Sequence, residues 1–236
     1  MRGRARYSGA VNARIDHLVI AADSLEQGAD WCEATFGVQP AGGGKHALMG
    51  THNRVMDIST LRFPQCYLEV LAIDSEAPAP GRPRWFGLDQ PALREAVREL
   101  PRLVHAVART DMMEMLRQSL ANCALDPGVP LAAQRDTPYG LLKWRITVRD
   151  DGRLECAGAL PTLIEWTGAH PCAHLPPTPV ALQELVLRGV PPEAIDVLKL
   201  PEVRAIPAEP AHPAPISATL KSTRGTVVID AWHAED

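Results

Sequence analysis

Four side chains in this sequence have the types and spacing for metal or acid–base chemistry. His17 lies inside Ile15-Asp16-His17-Leu18-Val19-Ile20-Ala21, and His105 inside Leu103-Val104-His105-Ala106-Val107-Ala108. Both runs are short, apolar and β-branched, so both read as buried strands with a histidine at the centre. Glu69 stands in Tyr67-Leu68-Glu69-Val70-Leu71 and Glu165 in Thr162-Leu163-Ile164-Glu165-Trp166. A carboxylate inside an apolar strand is costly unless it is paired or holds a cation. Taken together the four make an N₂O₂ donor set suited to a divalent ion such as Zn, Ni, Mn, Co or Fe(II). On an octahedral ion such a set leaves positions open for water or substrate. Taken singly, a strand histidine is commonly a hydrogen-bonded core residue, and a glutamate in period-two alternation can face solvent. The recurrence of the pair, at a spacing of 52 residues and again of 60, argues for a joint role.

The elements that would position these residues also recur. After the first histidine strand, Asp23-Ser24 reads as a helix cap, and Leu25 to Phe36 as a helix ended by Gly37. The triplet Gly42-Gly43-Gly44 then leads into strand-like runs near 45–50, 54–61 and 66–73, which completes a β-α-β-β-β unit. After the second histidine strand, Thr110-Asp111 can cap a helix over about 112–123, and strand-like runs follow near 131–135, 141–148 and 160–167. The predicted organisation is a tail over 1–13, a first unit over 14–76 and a connecting loop and helix over 77–101. A second unit follows over 102–178, and a partial third unit over 179–236. The connector begins with Pro78, Pro80 and Pro83 and includes a short helix from Pro91 to Leu100. The third unit reads as a strand (181–187), a short helix (192–198), a proline-rich loop (207–215) and a hairpin turned at Thr223-Arg224-Gly225. It is expected to extend the sheet and to supply no metal ligand.

Composition narrows the function classes. The 236 residues are 46% hydrophobic and 22% charged, an ordinary globular balance. The 22 prolines and 17 glycines favour many short elements over long helices. A net charge of −4 gives no footprint for nucleic acid or an anionic membrane. Five cysteines, an odd number with no C-x-x-C pair, point to reduced thiols and a cytoplasmic protein. The basic start, Met1 to Arg6, has no apolar stretch behind it, so no signal peptide is expected. No apolar run is long enough to span a bilayer.

The two His-centred and two Glu-centred strands resemble the vicinal oxygen chelate superfamily. So do Gly50-Thr51-His52-Asn53, Arg82-Pro83-Arg84-Trp85-Phe86 and Trp144-Arg145-Ile146, which are similar to segments of its glyoxalase-like domain proteins. The resemblance covers about residues 14–190. It implies an α+β fold of the glyoxalase/bleomycin resistance/dioxygenase-like type: paired βαβββ units whose curved mixed sheets surround a cleft. It also implies metal ligands at His17, Glu69, His105 and Glu165, with Glu165 or Glu69 as the catalytic base. The favoured chemistry is that of a lyase or isomerase, in which a divalent ion stabilises an enolate of a small oxygenated substrate. Two other readings stay open within the fold. One is a metal-free protein that sequesters a small molecule. The other is a non-haem Fe(II) dioxygenase using His17, His105 and Glu165. His46, His52, Asn53 and Arg145 are candidate substrate-binding residues, the last two for an oxyanion or carboxylate. The expected partner is a small-molecule substrate, with no nucleic acid and no membrane; a homodimer is left open.

Overall fold

A computed structural model describes residues 12–233; the basic start and the absence of a signal peptide read above concern residues outside this range. Strand β1 (Arg14–Ala21) leads into helix α1 (Leu25–Phe36). Ser24 caps that helix, its side chain accepting from the Gln27 amide, and Gly37 ends it in the left-handed conformation, φ 78°. Strands β2 (Ala41–His46), β3 (Thr51–Asp57) and β4 (Tyr67–Ile73) complete the first unit. The connector holds a single turn at Trp85–Gly87 and helix α2 (Pro91–Glu99). The second unit repeats the order with β5 (Arg102–Arg109), α3 (Met113–Asn122), β6 (Val129–Thr137), β7 (Gly140–Val148) and β8 (Thr162–Thr167).

All eight strands form one sheet in the order β2-β3-β4-β1-β5-β8-β7-β6. Within each unit the first strand pairs parallel with the fourth, and the units join where β1 and β5 run antiparallel. The order is therefore symmetric about the β1–β5 seam. The sheet curls until its two edges approach each other: Arg135 on β6 donates to the side chain of Asn53 on β3 at 2.9 Å.

Strand alternation gives the sheet two faces. Leu18, Ile20, Leu68 and Leu163 point outward, where Phe36 of α1 and Leu116 and Leu120 of α3 cover them. Val19, Leu71, Val107, Trp144 and Ile164 point inward. The connector fills part of this inner face, inserting Trp85, Phe86, Leu93 and Val97. Its turn carries Phe86 at φ 56°, a left-handed backbone uncommon for an aromatic residue.

The C-terminal segment departs from expectation. Instead of extending the large sheet, it builds its own four-stranded sheet in the order β10-β9-β11-β12. Its strands are β9 (Ala181–Arg188), β10 (Arg204–Ile206), β11 (Ile216–Ser222) and β12 (Gly225–Asp230), with helix α4 (Pro192–Leu198) between β9 and β10. Its apolar face, with Leu182, Leu185, Leu187 and Ile216, joins the outer core. Leu103–Ala231 is the one bridge between the two sheets among the described residues. No helix of the described chain is long and apolar enough to cross a membrane.

Candidate active site

A β-bulge begins the site. On β1, Ile15 pairs with Ala108 and His17 with Val107, so Asp16 is an extra residue with no partner on β5. A bulge re-aims side chains, and here neighbouring residues face the same way. The Asp16 carboxylate meets His17 Nδ1 at 2.6 Å. Its other oxygen accepts from Trp166 Nε1 at 3.0 Å and lies 2.9 Å from His170 Nε2. Asp16 is wholly buried. Burial opposes its charge, but the hydrogen bonds and charges of His17 and His170 prevail and hold the carboxyl well below its usual range. The Asp16 contact occupies His17 Nδ1 and leaves Nε2 turned toward Glu69 in the cup. Glu202, from beyond α4, secures the start of β1 by accepting from the Ile15 amide at 2.8 Å.

Glu69 faces that imidazole from the adjacent strand. Its Oε2 lies 3.6 Å from His17 Nε2, too long for a hydrogen bond but close enough for one substrate hydroxyl or water to touch both. Its Oε1 accepts from Asn53 Nδ2 at 2.5 Å. Asn53 Oδ1 in turn accepts from the Gly44 amide and from Arg135 Nη1, each at 2.9 Å. The line Arg135–Asn53–Glu69–His17–Asp16 thus crosses the inner face. The glycine triplet makes room for it. A Cβ on Gly43 would meet the Asn53 carbonyl at 2.1 Å, and one on Gly44 would meet Arg135 Nη1 at 2.9 Å.

The walls are apolar and aromatic. Tyr67 stacks on His17 with centroids 4.6 Å apart, and Trp85, Phe86, Trp144 and Trp166 close the sides. His46 is buried edge-on to Trp85 and bonded to Thr51 Oγ1 at 3.1 Å. Burial, with Arg135 and the other histidines nearby, pushes its pKa down to about 3, so it is neutral in the cup. The free volume beside Glu69 is about 30 Å³, room for a water or two or the end of a substrate.

The second unit is built differently. In the first, Glu69 pairs with Val19, two residues beyond His17. In the second, the residue paired with Val107, two beyond His105, is Thr162. Thr162 is therefore the counterpart of Glu69. Glu165 lies three positions further on, and an odd offset turns a strand residue to the opposite face. It points outward and accepts from Arg145 Nε at 2.9 Å, and Arg145 also reaches Glu114 of α3 at 3.2 Å. His105 stays on the inner face but is closed off. Its Nδ1 meets the Gly158 carbonyl at 3.0 Å, and its Nε2 accepts from the Thr162 amide at 3.1 Å, with the Thr162 hydroxyl at 2.9 Å. Phe86 packs against its ring, centroids 5.3 Å apart. Burial outweighs the Gly158 hydrogen bond, and His17 adds to it, so the His105 pKa falls to about 3.

These positions correct the four-ligand expectation. Of the candidate site residues, His17, Glu69, Asn53 and His46 share the cup. His105 borders it with both nitrogens engaged. Glu165, Arg145 and His52 face outward; His52 alternates with the inward Asn53 and pairs with Ala72, which alternates with the inward Leu71. No group of three or more His, Cys, Asp or Glu among the described residues is placed to hold a metal ion. The set His17, Glu69, His105 and Glu165 thus does not fit a divalent ion, and neither does the dioxygenase set of His17, His105 and Glu165. Sequence reasoning missed Asp16 and Arg135. Asp16 beside His17 was visible, but strand alternation puts neighbours on opposite faces, and only the bulge overrides it.

A family match and one similar solved structure support the architecture. The model of the family described as "Glyoxalase-like domain" matches residues 15–199. No curated protein sequence matches the chain. Among solved structures, a hypothetical protein from Staphylococcus aureus is similar in fold, with a TM-score of 0.58 at 14% identity, over 92% of this chain and 86% of that one. A methylmalonyl-CoA epimerase from Streptomyces coelicolor aligns with a TM-score of 0.41 at 17% identity, over 67% of this chain and 96% of that one. The epimerase from Mycobacterium tuberculosis aligns with a TM-score of 0.38 at 12% identity, over 72% and 95%.

Proposed function

The chain belongs to the glyoxalase-like domain family, and from that premise we propose that it is an isomerase or lyase that moves a proton next to a carbonyl of a small oxygenated substrate. One observation carries this reading: a buried carboxylate, Glu69, held by Asn53 at 2.5 Å, stands 3.6 Å from the oriented imidazole of His17. Glu69 is the base. Its aromatic surroundings exclude water and strengthen each polar contact within the cup. His17, held by Asp16, presents Nε2 to the oxygen that gains charge and, when protonated, donates to it. Asn53 keeps the Glu69 carboxylate aimed, and the Asp16 bulge keeps the imidazole aimed. The residues implied as metal ligands do not fit an ion, so no step is assigned to one.

The test follows proton exchange from D₂O into small 2-oxo acids, 2-hydroxy acids and 1,2-dicarbonyls by NMR. The protein is purified without chelator and its metal content measured alongside. The expected result is exchange into at least one class, lost by a factor of about 10²–10⁴ in Glu69→Gln. The absence of exchange from all three classes in the wild type would sink the reading. Binding without exchange would favour the second reading, a metal-free sequestering protein, which the aromatic filling of the cup also supports.

A further inference from the structure

We propose that a vestibule outside the cup binds the tail of the substrate, and that the substrate is an amphipathic monocarboxylate whose anionic end pairs with Arg135. This rests on the reading of the Glu69 cup as the reacting site and names the substrate class for it. Size is the first argument. The space beside Glu69 is about 30 Å³, so only the end of a molecule fits there. Next to it lies a second cavity of about 310 Å³, in the range of small-ligand sites. Arg135 lines both.

The chemistry of the walls is the second argument. Arg135 is the only Lys, Arg, Asp or Glu lining the vestibule among the described residues. Apart from Thr137 and His174 the other side chains are apolar or aromatic, with Leu142, Leu175 and Pro176 beside Tyr139, which stacks on His174 with centroids 4.4 Å apart. Tyr139 is two-thirds exposed, an unusual position for a large ring. A single cation at the inner end of an apolar cleft selects one negative charge followed by an apolar chain.

The guanidinium itself is the third argument. It spends Nη1 on Asn53 at 2.9 Å, while its buried Nε has no hydrogen-bond partner among the described residues. Buried donors are normally satisfied, and a carboxylate accepting from the guanidinium supplies what is missing. Because Arg135 touches Asn53 and Asn53 touches Glu69, an anion on Arg135 has its neighbouring carbons one side chain from the base. The positive charge also offsets repulsion between the incoming anion and Glu69.

Calorimetric titration with octanoate, 1-octanol and acetate tests this. Octanoate should bind at least about tenfold more tightly than either of the others, because only it offers both charge and tail. Arg135→Met should bring octanoate down to the level of 1-octanol, and Arg135→Lys should restore part of the difference. Tyr139→Ala should weaken octanoate and leave acetate unchanged. Circular dichroism melts check that each variant folds. Equal binding of octanoate and 1-octanol, no octanoate binding, or an unchanged affinity in a folded Arg135→Met would each overturn the proposal. Glu69→Gln separates the two readings, since it should abolish exchange yet bind octanoate at least as well as the wild type. Octanoate binding as described, without exchange into any substrate class, removes the reaction and keeps the vestibule. Exchange that is indifferent to Arg135→Met in a protein that ignores octanoate removes the vestibule and keeps the reaction.

Discussion

In the first unit, His17 leaves Nε2 to the cup and faces a carboxylate across 3.6 Å; in the second, His105 spends both ring nitrogens on neutral partners. The two sites are otherwise built alike. Asp16 beside His17 Nδ1 corresponds to the Gly158 carbonyl beside His105 Nδ1, and Glu69 corresponds to Thr162. Charge has been exchanged for hydrogen bonds of ordinary strength, and Phe86 seals the result. On the proposed reading, the same strand position serves chemistry in one copy and cohesion in the other. The two copies differ at the residue paired two positions beyond the histidine, Glu69 in one and Thr162 in the other.

The comparison breaks first, if it is wrong, at Glu69. Glu69→Gln should lower proton exchange by about 10²–10⁴, whereas Thr162→Val should leave exchange nearly unchanged and cost about 1 kcal/mol of stability for one lost hydrogen bond. NMR exchange rates and urea melts on the two variants decide it. Similar losses of exchange in both would mean that the second unit shares in catalysis.

His105→Ala should act on stability instead. It deletes a fully buried ring and strands the Gly158 carbonyl and the Thr162 amide, a loss of about 2–5 kcal/mol. Exchange per folded molecule should persist. A stable His105→Ala protein that no longer exchanges protons would reverse the assignment of roles.

Acid sharpens the same contrast. The pKa of His105 is about 3 in the fold against roughly 6.5 unfolded, so between these values the unfolded chain binds the extra proton. Stability is complete above pH of about 6.5 and falls as the pH drops toward 3, by at most about 1.4 kcal/mol per pH unit for this histidine. His46, also near 3, adds a second contribution of the same sign. His105→Gln should flatten the slope of stability against pH by about one proton across that window. An unchanged slope in urea melts at several pH values would mean that His105 does not fold as the neutral base described here.

Much of the architecture was legible because it rests on local chemistry. Ser24 and Gly37 mark the ends of α1, and the apolar histidine strands mark the centre of the sheet. Of the residues singled out from the sequence, His17, Glu69, Asn53 and His46 share the cup. What misled was register. Leu68-Glu69-Val70 and Ile164-Glu165-Trp166 look alike in sequence, but matching them shifts the fourth strand of the second unit by three residues, to the wrong face. No local signal reveals such a shift, because both faces of β8 carry large apolar residues. The bulge at Asp16 and the approach of Arg135 from the far edge depend on pairings between distant strands, and neither has a motif of its own.

The smallest expected effect lies on the outer face, and it tests the register directly. Glu165→Gln removes the charge that Arg145 grips, in a pair whose arginine side chain is 40% exposed and whose glutamate is 22% exposed. Pairs so open to solvent contribute within about 1 kcal/mol, less as salt screens them. Melting temperature should fall slightly at low ionic strength and return toward the wild-type value in high salt. Exchange and octanoate binding should not change. Suppose instead that Glu165→Gln silences the cup or releases a bound ion. Glu165 would then have to face inward, which requires β8 to slip by an odd number of residues. The same slip would turn Leu163, now fully buried in the outer core, toward the cup, and Ile164 and Trp166 away from it. A crystal structure of the variant would show that exchange of faces at once, because each side chain along the strand would change sides together.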